Sequence, residues 1–279
     1  GPNGAGKTTT VNMLATLASI DSGTASVAGF DVGSQADQVR QAIGLAGQAA
    51  AVDEQLPGGE NLELVGRLYK IPRAQRRRRT AELIEQFDMA EFADRVAGTY
   101  SGGQRRRLDV VAALVADPPA LFLDEPTTGL DPRSRSEVWV AVERLAAQGT
   151  AIVLTTQYLD EADRLADDVL IIDKGRVVAS GTPETLKRGL ERDVLEIRFD
   201  GDGDLASALE AIDRVEGLVT DLDANSVRVP VGDDVAASLG ILRRLQERGV
   251  SISDFQLRRP TLDDVFLSLT GSSSENEEA

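Results

Sequence analysis

The chain has 279 residues, of which 42% are hydrophobic, and this is enough for one large domain or two modest ones with their own cores. Its formal net charge of −16 argues against nucleic acid as the main partner, because phosphate backbones are bound by clustered Lys and Arg. Cysteine and histidine are both absent, which excludes disulfides, thiolate chemistry and imidazole bases and leaves carboxylates, amides, hydroxyls, Lys, Arg and a hard cation such as Mg²⁺.

The chain opens with GPNGAGKTTT, which matches the pattern G-x-x-x-x-G-K-[ST] at Gly1, Gly6, Lys7 and Thr8. Such a loop leaves the end of a strand so that backbone N–H groups and a helix N-terminus converge on phosphate oxygens. Small and apolar residues at helical spacing after Lys7 predict that helix. Since no strand stands in front of the loop, we expect the sequence to be a fragment that lacks its beginning.

The following segments predict an α/β fold with a parallel sheet. TASVAGFDV indicates a short extended stretch, VRQAIGLAGQ a helix running into a strand, and residues 60–116 a mainly helical region. PALFLDEP and TAIVLTT are short apolar runs typical of buried parallel strands, and a helix from Ser134 to Gln148 lies between them. Alternating strands and helices of this kind favour a parallel sheet with covering helices.

The character of the chain changes after about Gly189. Six segments from DVLEIRF to ISDFQLRRP give the order strand, helix, strand, strand, helix, strand, which predicts a ferredoxin-like unit. A short helix, TLDDVFLSLTG, follows, and the polar tail SSSENEEA is predicted to be disordered. This part shows no catalytic constellation, so dimer contact, regulation and docking all stay open as its role.

Two acidic residues end the LFLDEP strand. A nucleotide-hydrolysing enzyme needs one carboxylate for Mg²⁺ and a second near the γ-phosphate to orient the attacking water, and Asp124 and Glu125 could supply them. Acids at a strand end more often serve only to increase solubility. Their position after a phosphate loop in an α/β chain favours the functional interpretation.

The segment YSGGQRRR offers a second anion-binding helix start, with glycines that allow close approach and the hydroxyl of Ser101. One nucleotide has only one triphosphate. Two phosphate-binding helix ends in one chain are therefore explained if the second serves an ATP held by another subunit. A plain loop with an N-cap serine is the alternative.

GPNGAGKTTT, the glutamine ending GLAGQ, then YSGGQ, LFLDEP and GLDP, in that order, resemble the nucleotide-binding subunit of an ATP-binding cassette (ABC) transporter. The ending RRPTLDDVFLSLTG resembles the daunorubicin-resistance type of bacterial exporter ATPase. The resemblance implies an α/β P-loop NTPase domain over residues 1–190, without its N-terminal strands and with a helical subdomain at about 53–116. It also implies a small ferredoxin-like α+β domain over 191–271 and a tail over 272–279.

The resemblance also implies roles for particular residues. Lys7 would bind the β and γ phosphates of ATP, Glu125 would polarise the water, and Asp131 would communicate across a dimer. The implied Mg²⁺ ligands are Thr8, Gln48 and Asp124, and the implied catalytic residues are Glu125 and Gln157. The residues expected to contact ATP, some of them on the opposite subunit, are Gly1, Asn3, Gly4, Gly6, Lys7, Thr8, Thr9, Gln48, Ser101, Gly102, Gly103, Gln104 and Asp131.

Two positions depart from the family pattern. Gln157 stands in TTQYLDEAD where the family commonly has histidine, and its amide can hydrogen-bond a γ-phosphate oxygen without titrating, so a positional role is expected. Capping of the strand end is the alternative for Gln157. Tyr100 begins YSGGQ where leucine is more frequent, and we expect little functional change from it because the ring still supplies an apolar face.

The resemblance implies an ATPase that forms a homodimer around two ATP with Mg²⁺ and powers a separate membrane permease. Export of a drug or another amphiphile is expected, with the subunit in the cytoplasm on the inner face of the cell membrane. The segment from Gln48 through Asp53 to Ala116 would transmit motion, and the run Arg76 to Arg79 would form a solvated helix face or touch the permease or lipid phosphate. A soluble ABC ATPase acting on ribosomes or DNA is the rival, and a non-functional remnant is a third possibility.

Overall fold

The computed structural model describes residues 1–48, 51–189, 193–200, 202–212, 218–221, 225–231 and 235–271. They form two compact units, Gly1–Glu161 with Lys174–Arg176, and Ala162–Asp173 with Val177–Ala279. The expected domain boundary at 190 and the expected disordered tail at 272–279 lie outside the described residues. Within the described ranges, no helix combines the length and apolar character needed to cross a membrane.

The described residues of the first unit form a parallel three-stranded sheet, a small hairpin and seven α-helices, of which the last continues into the second unit. In chain order these elements are α1 (Lys7–Leu14), β1 (Ser26–Val27), β2 (Phe30–Asp31), α2 (Ala36–Ala42), β3 (Ile43–Ala46), α3 (Gly58–Leu68), α4 (Arg73–Gln86), α5 (Gly102–Ala112), β4 (Ala120–Asp124), α6 (Pro132–Ala147), β5 (Ala151–Thr155) and α7 (Leu159–Leu165).

The sheet has the strand order β3-β4-β5, and all pairs are parallel, as the apolar runs predict. Four of the five residues of β4 are buried, because a central parallel strand is covered on both faces. Phe122 of β4 belongs to a core cluster with Val11 and Ala15, so α1 packs against the sheet. Parallel strands put their carboxyl ends at one edge, and the residues after β3, β4 and β5 therefore meet there.

The region 60–116 is mainly helical, as predicted, and consists of α3, α4, a 3₁₀ turn at Ala97–Thr99 and α5. The arginine run on α4 is only half solvated. Arg77 and Arg78 are 59% and 76% exposed, whereas Arg76 is 11% exposed and its stem covers Gly66. All four arginines form ion pairs, with Glu63, Glu82 or Asp117. Helical periodicity puts Arg76 and Arg79 on the inner side of α4, so the expected solvated face consists of Arg77 and Arg78.

In its described residues the second unit includes the end of α7 and ten later elements, of which β7 begins in the first unit. They are β6 (Val169–Asp173), β7 (Arg176–Gly181), α8 (Pro183–Arg188), β8 (Val194–Phe199), α9 (Asp202–Ala211), β9 (Val219–Asp221), β10 (Ser226–Pro230), α10 (Val235–Glu247), β11 (Ile252–Arg258) and α11 (Leu262–Gly271). The antiparallel sheet β11-β8-β10-β9 has the order of a ferredoxin-like fold, which agrees with the prediction. Its core lies under α9 and α10 and includes Leu195, Ile197, Val227, Val229 and Leu245.

Candidate functional site

The loop before α1 is shaped by glycines. Gly4 and Gly6 have φ of +78° and +106°, in the left-handed region that L side chains avoid. Gly6 is the N-cap of α1 and offers no side chain to cap it. The N–H of Gly175 donates to the carbonyl of Ala5 at 3.0 Å and braces the loop from outside. The first-turn amides of α1 therefore lack a side-chain cap and suit phosphate oxygens, as the sequence pattern predicts.

Lys7 is buried beside this loop, with 8% of the residue exposed. Its Nζ donates to the carbonyls of Gly1 and Pro2, at 2.7 and 3.1 Å, and lies 3.1 Å from Glu125 Oε1. The structure thus brings together the predicted phosphate-binding cation and the predicted water-polarising carboxylate, although 118 positions separate them in the sequence.

Thr155 at the end of β5 positions both carboxylates of the LFLDEP strand. The buried Asp124 accepts a hydrogen bond from Thr155 Oγ1. Glu125 has φ of +49°, unusual for a side chain larger than glycine, and its N–H donates to the carbonyl and to Oγ1 of Thr155, at 3.0 and 3.1 Å. Sequence reasoning did not single out Thr155, although the TT pair that ends the apolar run TAIVLTT marks its position.

Two of the three predicted metal ligands are in direct contact. Gln48 Nε2 donates to Thr8 Oγ1 at 3.0 Å, which joins the segment after β3 to the first turn of α1. The third, Asp124, ends β4, the strand that pairs with β3. Hydroxyl, amide and carboxylate oxygens are hard ligands, so this donor set fits Mg²⁺.

Arg106 on α5 is buried behind these residues, and sequence reasoning missed it. Its guanidinium donates to the carbonyls of Asp124 and Pro126, at 3.0 and 2.8 Å, and forms an ion pair of 2.9 Å with Asp109. Burial lowers the pKa of Arg106 and raises the pKa of Asp109, and their mutual attraction opposes both shifts. The signal in the sequence was the spacing of three in RRRLD, which puts both charges on the inner face of α5.

The SGGQ segment forms the capped start of α5. Ser101 Oγ accepts the N–H of Gln104 at 3.2 Å, and the Gln104 side chain accepts the N–H of Ser101 at 3.1 Å, so that a capping box closes the helix start. The alternative of an N-cap serine thus describes the local structure correctly. A capped helix start does not conflict with anion binding, because its first-turn dipole is still present, and the anion-binding role of SGGQ stays a prediction.

Gly103 of the SGGQ segment lies against Ser134 at the start of α6. A Cβ atom on Gly103 would lie 2.4 Å from Ser134 Oγ, so only glycine fits. Ser134 Oγ in turn donates to Asp131 at 2.6 Å, and Asp131 caps α6. The hydroxyl and the backbone N–H of Ser134 hold the pKa of the Asp131 carboxyl below its ordinary value. Asp131 and the SGGQ segment are therefore parts of one contiguous structure.

Tyr100 uses its hydroxyl, which the expectation of an apolar substitute for leucine did not include. Tyr100 OH donates to the carbonyl of Phe92 at 2.6 Å, and the two rings meet edge to face with centroids 5.0 Å apart. Burial raises the pKa of the Tyr100 hydroxyl. A Cβ atom on Gly58 would lie 2.3 Å from this hydroxyl. Tyr100, the residue before Ser101, therefore contacts the start of α3 at Gly58.

Gln157 follows β5 and is half-buried. The turn after the strand is closed by Thr156 Oγ1, which accepts the N–H of Tyr158 at 2.9 Å, so Thr156 has the capping role that was the alternative for Gln157. Within the described part of the chain, the structure records no hydrogen bond to the Gln157 amide. The role of Gln157 toward phosphate stays a prediction.

Two family models match the chain. The ABC transporter model matches residues 1–128, and the model for the C-terminal domain of DrrA1-3-like ATP-binding proteins matches residues 181–270. Two solved structures share the fold: an ATP-binding subunit of an ABC transporter (TM-score 0.59, 28% identity, covering 67% of this chain and 78% of that one) and cbiO1 from Clostridium perfringens (TM-score 0.61, 26% identity, covering 67% and 76%).

The curated relatives extend this similarity over the whole chain. The daunorubicin resistance ATP-binding protein DrrA2 of Streptomyces coeruleorubidus is 50% identical, over 100% of this chain and 87% of the relative. The daunorubicin/doxorubicin resistance protein DrrA of Streptomyces peucetius is 47% identical over 99% and 84%, and the Nod factor export ATP-binding protein I of Ralstonia nicotianae is 37% identical over 97% and 84%. The chain therefore belongs to the ABC transporter family, as an ATPase subunit of the daunorubicin-resistance type.

Proposed function

We propose that two copies of this chain close around two ATP molecules, hydrolyse them with Mg²⁺, and thereby drive a separate membrane permease that exports a drug or another amphiphile. The observation that carries the proposal is the 3.1 Å contact between Lys7 Nζ and Glu125 Oε1, next to the pair formed by Gln48 and Thr8. It supports one centre where phosphate binding, metal binding and water activation meet.

In this proposal the protein contributes mainly positioning and charge stabilisation. Mg²⁺, held by Thr8, Gln48 and Asp124, would neutralise charge on the phosphate oxygens. The buried ammonium of Lys7 would bind the β and γ phosphates. Glu125, whose backbone is fixed by Thr155, would orient and polarise the attacking water, and Gln157 would donate to a γ-phosphate oxygen.

The residues around Ser101 would complete the site of the second copy. Ser101 caps α5, and Gly102 to Gln104 form the first turn of this helix. Asp131 is linked to Gly103 through Ser134. A helix start that binds phosphate in trans makes each site dependent on both copies. ATP binding and dimer closure would then be one event.

The names of the relatives support a role of this chain in export. Two of them are daunorubicin resistance proteins and one is a Nod factor export protein, and each matches this chain almost end to end. We infer a site of action on the cytoplasmic face of the membrane, through the permease. The rival role on ribosomes or DNA is disfavoured by the net charge of −16.

Light scattering after size exclusion tests the dimer. In a Glu125→Gln background, which blocks turnover, ATP with Mg²⁺ should convert monomers to dimers. Adding Ser101→Arg should leave monomers only, because a bulky cation in the SGGQ segment would prevent closure of the dimer. Ser22→Arg, at an exposed position outside the site, is the matched control and should still dimerise. Dimers of the Ser101→Arg variant would disprove action in trans.

Export is tested separately in cells that express the chain with a membrane permease. Daunorubicin accumulation should fall when both proteins are present and should return when Glu125→Gln replaces the parent chain. Equal daunorubicin accumulation with and without an active ATPase would disprove export of this drug. It would not contradict the proposed ATP hydrolysis.

A further inference from the structure

Arg106 and Asp109 form a buried ion pair within α5, and their side chains are 9% and 3% exposed. Removing two charges from water is costly unless their remaining hydrogen-bonding groups are also satisfied. Here the remaining groups bind the backbone of two segments that are distant in the sequence. One segment carries Gln48 and the other carries Glu125.

The pair holds the backbone on both sides of Gln48. Arg106 Nη1 donates to the carbonyl of Gly47, and Asp109 Oδ1 accepts the N–H of Ala51 at 2.9 Å. Gln48, between these two anchors, donates to Thr8 Oγ1. The position of the Gln48 side chain thus depends on α5 as well as on β3.

The same guanidinium also brackets Glu125. Its Nη2 donates to the carbonyl of Asp124 at 3.0 Å, and its Nε donates to the carbonyl of Pro126 at 2.8 Å. A planar guanidinium has five N–H groups in a fixed fork, whereas the ammonium of lysine has three on a single atom. Lysine could keep the charge at this position but could not reach all of these acceptors.

We propose that Arg106, oriented by Asp109, is a positioning residue that sets the Gln48 segment against the end of β4 and so couples α5 to the hydrolytic centre of its own chain. The inference rests on the proposed function, in which Gln48 is a Mg²⁺ ligand and Glu125 polarises the water. Since α5 starts at Ser101, a partner's ATP bound there would influence hydrolysis through this contact.

Arg106→Lys is the direct test, because it keeps the charge and removes the fork. ATP hydrolysis by the full chain should show kcat lowered about 10-fold or more and KM for ATP within about threefold of the parent, since the phosphate loop is untouched. The Mg²⁺ concentration for half-maximal activity should rise. Arg40→Lys is the matched control on α2, where Arg40 pairs with the exposed Asp37 outside the site, and it should leave kcat unchanged.

A double-mutant cycle with Gln48→Ala separates positioning from general damage. If Arg106 acts through Gln48, then Arg106→Lys should lower kcat little further in the Gln48→Ala background. If kcat of the double variant falls by the product of the two single-variant factors, the inference is overturned. An unchanged kcat in Arg106→Lys, together with a lowered kcat in Gln48→Ala, would also overturn it. If Gln48→Ala itself leaves kcat and the Mg²⁺ requirement unchanged, then the proposed metal site is wrong and the inference falls with it.

Thermal unfolding of each variant shows whether it folds. Should Arg106→Lys fail to fold, the paired change Arg106→Gln with Asp109→Asn replaces it in the same cycle, because a neutral pair leaves no buried charge alone. The expected result is again a lower kcat with an almost unchanged KM. A parental kcat in this folded double variant would overturn the inference.

Discussion

Lys7 Nζ lies 3.1 Å from Glu125 Oε1, and both side chains are almost fully buried. The contact makes the phosphate loop and the end of β4 one structural unit. Thr128 Oγ1 also donates to Glu125, at 3.2 Å, so the carboxylate is held on two sides. In the proposed function, this carboxylate would act on a water at one defined position.

Glu125→Gln should therefore bind ATP but hydrolyse it about 100-fold more slowly or worse, because the change keeps the shape and removes the charge that polarises water. A phosphate-release assay and a nucleotide titration measure the two effects. Glu91→Gln, at an exposed position, is the control and should match the parent. A hydrolysis rate within a few-fold of the parent would remove Glu125 from the catalytic role.

Gly58 and Tyr100 are predicted to be energetically coupled. Gly58→Ala should destabilise the protein by about 1–3 kcal/mol, because the new methyl group would lie 2.3 Å from the Tyr100 hydroxyl. Gly59→Ala is the control in the same helix, since its methyl group meets only ordinary contacts at 3.6 Å and beyond, and it should be neutral or stabilising.

The double variant decides whether the hydroxyl is the cause. Tyr100→Phe alone loses a hydrogen bond worth about 1 kcal/mol, but it should recover part of the loss caused by Gly58→Ala. Urea unfolding measures all four members of the cycle. Strictly additive free energies would show that the clash is relieved elsewhere.

The SGGQ segment offers a comparison between two neighbouring glycines. Gly103→Ala should lower the free energy of unfolding by about 1–3 kcal/mol, since the new methyl group would lie 2.6 Å from Ser134 Cβ. Gly102→Ala meets only Leu130 Cδ2 at 3.8 Å and should be tolerated. Equal thermal stability of the two variants would contradict the close approach of α5 to Ser134.

The sequence predicts much of the fold because its elements are marked locally. Strands such as β4 and β5 are short apolar runs with clear ends, and the four strands and two helices of the ferredoxin-like unit are separate segments in the sequence. Residues 159–189 were not assigned, and there the structure has α7, the hairpin of β6 and β7, and α8. These elements are short, and the turn at Asp173 to Arg176 is the local signal that could have found the hairpin.

The site residues that could be predicted are those that stand in recognisable motifs. Lys7, Glu125 and Gln48 stand in motifs, and their contacts follow from the convergence of strand ends. Arg106 was not assigned, because the spacing of three in RRRLD puts Arg106 and Asp109 on one face of α5 but does not show that this face is buried. Thr155 was missed for the same reason, because its hydrogen bonds to Asp124 and Glu125 exist only in the folded structure.

Asp264 at the start of α11 predicts a pH dependence of the second unit. Burial acts to raise the pKa of Asp264, but hydrogen bonds from Arg258 and Thr261 outweigh it and hold the pKa below its ordinary value. Arg258 Nη2 lies 3.0 Å from Oδ1, and the N–H and hydroxyl of Thr261 lie 2.8 and 2.9 Å from Oδ2. A lowered pKa means that the carboxylate stabilises the fold above the ordinary pKa and loses this contribution as the pH falls through the folded value.

Asp264→Asn should therefore destabilise the second unit by about 1–3 kcal/mol at pH 7, and the difference from the parent should shrink below about pH 4. Amide hydrogen exchange of β8 and β11 measures this unit, while fluorescence of Trp139, the single tryptophan, monitors the first unit and should not change. Asp254→Asn, at an exposed position of β11, is the control. A difference between parent and Asp264→Asn that persists unchanged to pH 3 would show that the ionised carboxylate is not what stabilises α11.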